Sequence, residues 1–216
     1  MQVEIWSDVV CPWCYIGKRR FEAAMETFEH RDQVTVLWRS FELDPTAPRE
    51  RDVDGPTYIA EKYGTTREQA VAMQQNVVDT AAGAGLEMRF DIARSGSTFD
   101  AHRLLHLAAS EGLQMQLKEC LMRGYFTEGE PIGDPAALER MAVSVGLAAD
   151  QVSDVLRGDS YTAEVRDDEH TASALGIRGV PFFVVDRVYG ASGAQPPEAL
   201  GELLRKAWAE AQPVGA

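Results

Sequence analysis

The sequence predicts an α/β fold in which a strand-helix-strand unit is separated from its remaining strands by a large helical insertion. Three observations predict it. Strand-type alternation near the N-terminus runs straight into a helical pattern, a long middle stretch carries successive helical patterns broken by glycines and prolines, and strand signals return near the C-terminus. With 216 residues, 45% of them hydrophobic, the chain can bury a sizeable core without covalent staples.

Val3 and Ile5 alternate with Gln2 and Glu4 up to Ser7-Asp8, which predicts a short first strand. From Pro12 onward Ile16, Arg20, Ala23, Ala24, Thr27 and Phe28 recur at helical spacing. Proline suits a first helical position because the N–H it lacks would have no partner there. The β-branched and aromatic run Val34 to Leu43 predicts a second strand, ended by Asp44-Pro45. Asp44 to Pro56 holds three prolines, several charges and a glycine, marking a connection between differently built regions. Helical spacing then recurs across Thr57 to Tyr63, Thr66 to Ala84, Thr98 to Ser110, Leu113 to Phe126, Asp134 to Val145, Asp150 to Arg157 and Tyr161 to Leu175. Strands are predicted at Phe182 to Val185 and Arg187 to Tyr189, and a last helix at Pro197 to Glu210. The expected organisation is a sheet-bearing domain of residues 1–48 and 159–216 with a helical domain, residues 49–158, inserted in it.

A net charge of −13, with no basic run longer than Lys18-Arg19-Arg20, argues against nucleic acid as a partner. No apolar run approaches membrane-spanning length, so no membrane partner is expected. Met1 to Val10 lacks the basic start and apolar stretch of a secretory signal, from which a cytoplasmic location is expected.

Three cysteines are too few and too oddly counted for a cross-linked framework, so any disulfide should be functional. Cys11-Pro12-Trp13-Cys14 combines a two-residue spacing, a preceding strand and a following amphipathic helix. A thiol attacks a disulfide only as its thiolate, and unpaired N–H groups and the dipole at a helix start favour that anion. Cys11 sits at this first turn as the attacking sulfur. Cys14, one turn in and more shielded, is placed to resolve the mixed disulfide. A zinc site would need two further ligands, and Cys120 with His30, His102, His106 or His170 shows no partnered spacing, so no metal is expected.

His102 and His106 lie one turn apart and are assigned packing or surface roles, with His102 kept as a candidate for polar work near the sulfurs. Cys120, between Leu117 and Leu121, is expected to be a buried small hydrophobe. Asp8 is expected to cap the first turn in preference to accepting a proton from Cys14. Trp6, Trp13 and Phe182 could form an apolar rim around the sulfurs, although aromatic residues beside a strand are ordinarily core, and Trp13 alone is expected to be exposed, between the cysteines. Pro12, Trp13, Phe182 and His102 are therefore the candidate substrate contacts.

Together with Asp8, the Cys11-Pro12-Trp13-Cys14 motif, Trp38-Arg39 with Phe41, and Gly176-Ile177-Arg178-Gly179-Val180-Pro181 closely resemble the cytoplasmic DsbA-like, FrnE-type proteins. The resemblance spans both ends and the helical block. It implies a thioredoxin fold with a large helical insertion and thiol-disulfide exchange on protein or small-molecule disulfides. It also implies that Cys11 is the exposed nucleophile and that Val180-Pro181 forms a cis-proline loop beside it, pairing its backbone with substrate. Strongly oxidising periplasmic relatives have histidine at the place of Trp13, so this couple is expected to be less oxidising. Thr98-Phe99-Asp100-Ala101-His102-Arg103 also resembles kappa-class glutathione transferases and 2-hydroxychromene-2-carboxylate isomerases, where Ser97 departs from a common asparagine. That likeness implies an alternative, a glutathione-dependent isomerase or transferase acting on an aromatic or polyketide intermediate, against which the second cysteine argues. A chaperone-like module that holds unfolded chains without redox turnover is a third reading. No cofactor beyond the redox disulfide is expected, with glutathione as a thiol partner. The natural substrate, the direction of exchange and the oligomeric state are left open by the sequence.

Overall fold

The computed structural model describes residues 1–211. A first strand, β1 (Gln2–Ser7), pairs in parallel with β2 (Thr35–Ser40) and antiparallel with β3 (Phe182–Val185), which pairs antiparallel with β4 (Tyr189–Ser192). The order across the sheet is β2-β1-β3-β4. A parallel pair needs a crossover, supplied here by α1 (Pro12–Glu26). The insertion contributes α2 (Gly55–Tyr63), α3 (Arg67–Ala82), α4 (Phe99–Ser110), α5 (Gln114–Arg123), α6 (Pro135–Ser144) and α7 (Ala149–Arg157). The chain returns through α8 (Thr162–Ala174) and closes with α9 (Pro197–Ala211).

The two-residue period of β1 decides which layer each face meets. Val3 and Ile5 pack with Phe21, Phe183 and Leu204 under α1 and α9, whereas Trp6 packs with Ala172 and Ile177 on the α8 side. A third and larger core fills the helical block and continues into the start of α1, where it includes Cys11, Cys14, Tyr15 and Ile16. The sulfurs thus lie on the seam between sheet and insertion.

Predicted elements match the observed ones to within a few residues, with one correction. The second C-terminal strand, expected at Arg187 to Tyr189, runs instead over Tyr189–Ser192. Asp186 and Arg187 have φ of 48° and 59°, a left-handed pair that makes the hairpin turn and that no strand can contain. The Val188 N–H closes this turn on the Val185 carbonyl at 3.0 Å. No helix among the described residues is long and apolar enough to cross a membrane.

Candidate active site

The end of β1 delivers Ser7, Asp8 and Val9 to the start of α1, so the strand and the helix fix the dithiol between them. Cys11 is the N-cap residue of α1, with extended backbone (φ −89°, ψ 112°) and no side-chain cap. Its carbonyl accepts the N–H of Cys14 at 3.0 Å, which begins the helix and carries Cys14 one turn inward. The first N–H groups of a helix lack intrahelical partners, and the Cys11 side chain sits at that end of α1. The Cys11 thiol reaches the carbonyl of Val180 at 3.6 Å.

Val180-Pro181 is a cis peptide bond, bringing the loop before β3 against the first turn of α1. Gly17 makes that approach feasible, because a Cβ there would lie 2.9 Å from Pro181 Cγ, closer than carbon atoms pack. The role of Gly17 is invisible in one dimension, since its partner is 164 positions away in sequence.

The two sulfurs differ in environment. Cys14 is fully enclosed. Burial pushes its thiol well up, the adjoining Cys11 sulfur pushes it further, and the charge of Lys118 acts the other way. Cys11 is 4% exposed, which corrects the expectation of an open nucleophile. Its access runs through a cavity of about 500 Å³ that it lines together with Asp8, Pro12, Trp13 and Val180.

Asp8 does not cap the helix, as was expected from its position. Only its backbone carbonyl faces the turn, accepting the Cys11 N–H at 3.3 Å. Its buried carboxylate takes the Leu43 N–H at 2.8 Å and meets His102 Nε2 at 3.3 Å. Burial alone would raise this carboxyl, but the His102 hydrogen bond and charge, the Leu43 amide and the charge of Lys118 together hold it below the usual range. Lys118 comes from α5 in the insertion, is completely buried, and donates to the Ser7 carbonyl at 3.4 Å. Burial pulls its ammonium down to about 8, against the opposing pull of Cys14, Asp8 and Cys11.

Lys118 escaped the sequence reading, although a signal exists. It lies three residues before Leu121 and beside Leu117, on the apolar stripe of its helix, where a lysine needs a buried partner. Three buried polar atoms around Asp8 have no protein partner among the described residues: Ser7 Oγ, His102 Nδ1 and Glu42 Oε1. Burial raises the Glu42 carboxyl to about 7 despite its bond to Arg166, helped by the charges of Glu169 and Asp8.

The other candidates are distributed unevenly. Trp13 is 42% exposed and, with Pro12, lines the cavity. Trp6 is buried and donates to the Asp168 carbonyl at 2.9 Å, so it belongs to the core and not to a rim. Phe182 packs with the Trp6 cluster outside the cavity lining, and His102 stands behind Asp8 instead of facing the cavity. His106 is occupied by Asp168 at 3.2 Å and the Ser40 hydroxyl at 3.0 Å. Cys120 is buried beside the Met141 carbonyl and the Ser144 hydroxyl. Most of the cavity wall was unforeseen, because Tyr58, Ile59, Met73, Val77, Phe90 and Tyr125 reach it from the insertion.

Residues 2–205 match the family described as the DSBA-like thioredoxin domain. The chain belongs to this family. Among solved structures, a probable DsbA oxidoreductase from Streptomyces coelicolor is 47% identical, with a TM-score of 0.94 over 100% of this chain and 93% of that one. The uncharacterized protein YwbO of Bacillus subtilis (strain 168) is 27% identical over 188 residues, 86% of each chain. The cytosolic disulfide reductase DsbM from Pseudomonas aeruginosa shares the fold at 16% identity, with a TM-score of 0.68 over 98% of this chain and 100% of that one. The DSBA-like fold places the strand end, the first turn of α1 and the loop before β3 together, and in this member the insertion closes the fourth side with Lys118, His102 and the cavity wall.

Proposed function

We propose that this DSBA-like protein is a thiol-disulfide oxidoreductase acting on protein or small-molecule disulfides, with Cys11 as nucleophile and Cys14 as resolving thiol. One observation carries the reading: Cys11 caps a helix at the mouth of a cavity, while Cys14 is sealed one turn beneath it. The Cys11 thiolate bonds to one substrate sulfur and the other leaves as a thiolate that takes a proton from water. Cys14 then gives up its proton and bonds to Cys11, releasing the second substrate thiol. The substrate gains two electrons and the dithiol loses them; the reverse sequence oxidises a substrate dithiol. The Val180 backbone beside Cys11 is the proposed pairing edge for substrate. A protein dithiol is the proposed resetting thiol, and a reducing cytoplasm the proposed setting, supported by a cysteine count too small for a cross-linked framework.

The test is reduction of insulin disulfides in the presence of dithiothreitol. Cys11→Ser is expected to remove catalysis, and Cys14→Ser to accumulate a mixed disulfide detectable by mass spectrometry. Full steady-state turnover by Cys14→Ser with glutathione would instead indicate single-thiol chemistry and overturn the proposal.

A further inference from the structure

A thiolate reacts with whatever disulfide reaches it, so selectivity lies in the walls around Cys11. The cavity of about 500 Å³ is of small-molecule size. Ile59, Met73, Val77 and Phe90 give it an apolar lining, and Tyr58 and Tyr125 add rings. Its charges are largely committed to one another. Arg51 is ion-paired with Asp44 and stacks on the Tyr58 ring at 4.1 Å, Asp8 is held by His102 and the Leu43 amide, and the remaining lining cation, Lys62, is exposed. A charged ligand such as a dicarboxylate tripeptide would lose water here and gain few partners. The hydrocarbon of an apolar one would gain from leaving water. Tyr125 is 8% exposed, so the wall it forms is largely sealed from bulk water.

Resting on the exchange chemistry proposed above, we propose that this cavity selects uncharged, apolar low-molecular-weight disulfides, seating the hydrocarbon against α2 and α3 while one sulfur meets Cys11. The electron balance is that of ordinary exchange. Cys11 forms a bond to one sulfur as the S–S bond breaks, Cys14 closes the protein disulfide with loss of its proton, and two thiols leave.

The experiment measures single-turnover oxidation of the pre-reduced protein by dipropyl disulfide, 3,3′-dithiodipropionate and cystamine, each rate divided by that of free dithiothreitol with the same disulfide. Using an anionic and a cationic comparator separates apolar selection from the overall negative charge of the protein. The normalised rate for dipropyl disulfide is expected to exceed both others by about tenfold or more, as burial of three carbons allows. Val77→Trp and Ile59→Trp, at half-buried positions, fill the cavity and are expected to bring the ratio toward one. Equal normalised rates in the parent protein, or a ratio unmoved by both variants while their melting curves stay cooperative, would overturn the inference. A second arm needs no chemistry: Cys11→Ser is titrated with the uncharged fluorophore N-phenyl-1-naphthylamine. Saturable binding, lost when Val77→Trp is added, supports the cavity as an apolar site, and its persistence in the double variant argues against it. Binding without turnover of any disulfide would defeat the exchange reading while leaving the apolar site in place.

Discussion

Two buried carboxylates on or just past the same strand are treated in opposite ways. Within β1, Glu4 receives Arg39 at 2.7 Å and Arg187 at 2.5 Å, while Arg39 also bonds Asp168 at 3.0 Å. Every buried side-chain polar atom of that cluster is matched. Just past the strand, Asp8 has one histidine and one amide, and around it Ser7 Oγ, His102 Nδ1 and Glu42 Oε1 go unmatched. Unsatisfied buried groups are expensive and therefore uncommon, so their concentration near the dithiol is a local cost in stability that the Glu4 cluster does not carry. The closed cluster ties the sheet to α8; the open one lies beside the dithiol for which exchange is proposed.

Breaking the closed cluster should have the largest effect on folding. Glu4→Gln leaves two arginines facing each other without their shared anion and is expected to cost about 3 kcal/mol in urea unfolding, the low end for a broken buried pair because both arginines reach solvent. Exchange activity per folded molecule should be unchanged. The arginines hold the Glu4 carboxyl below the usual range against the effect of burial, so its contribution is present above the ordinary carboxylate range and lost as pH falls through the folded value. The variant should accordingly show a flatter acid limb.

Glu42 lies next to the open cluster and predicts the opposite pH trend. Its folded pKa, raised to about 7, exceeds the unfolded value near 4.5, so the native state holds more protons between them and stability falls as pH rises through that window. The loss should be on the order of 1–3 kcal/mol, and Glu42→Gln should remove it, as read by denaturation at pH 5 and pH 8. If the wild-type stability does not decline across that range, the cluster is better satisfied than it looks.

The smallest and most diagnostic change is Lys118→Met. While protonated, the lysine favours the Cys14 anion, so the variant should resolve mixed disulfides more slowly at pH 7, by about tenfold if the lost charge is worth about one pKa unit. Lysine charge is lost as pH rises through about 8, so the two proteins should converge above that pH. A rate ratio constant from pH 6 to pH 9.5 would show that Lys118 acts through packing alone.

The strand-helix-strand unit and its helical interruption were legible because they rest on local periods and breakers: Val3 and Ile5 on one face of β1, Pro12 opening α1, and the prolines between Asp44 and Pro56. The dithiol was equally plain, its spacing being local. Features set by distant contacts were not. Asp8 has the residue type and position of a helix cap, yet Leu43 and His102 take its side chain, and nothing near it in sequence announces either. Trp6 could be rim or core until α8 is placed over it. The late start of β4 turns on Asp186 and Arg187 adopting left-handed backbone, which neither residue type requires. Lys118 was within reach, since a charge on an otherwise apolar helical stripe asks for a buried partner.

The core shared by Cys14 and the helical block bears on how such a chain can be divided. Cys14, Tyr15 and Ile16 contact side chains that arrive only with the insertion, as do the lysine and histidine around Asp8. Excising that block to leave a minimal sheet-bearing fragment would hydrate the inner sulfur, strip away its neighbouring cation, and erase the asymmetry between the two thiols. The insertion is one wall around the dithiol, and a graft of the motif onto a bare scaffold would carry the cysteines without the unequal burial on which the proposed exchange relies.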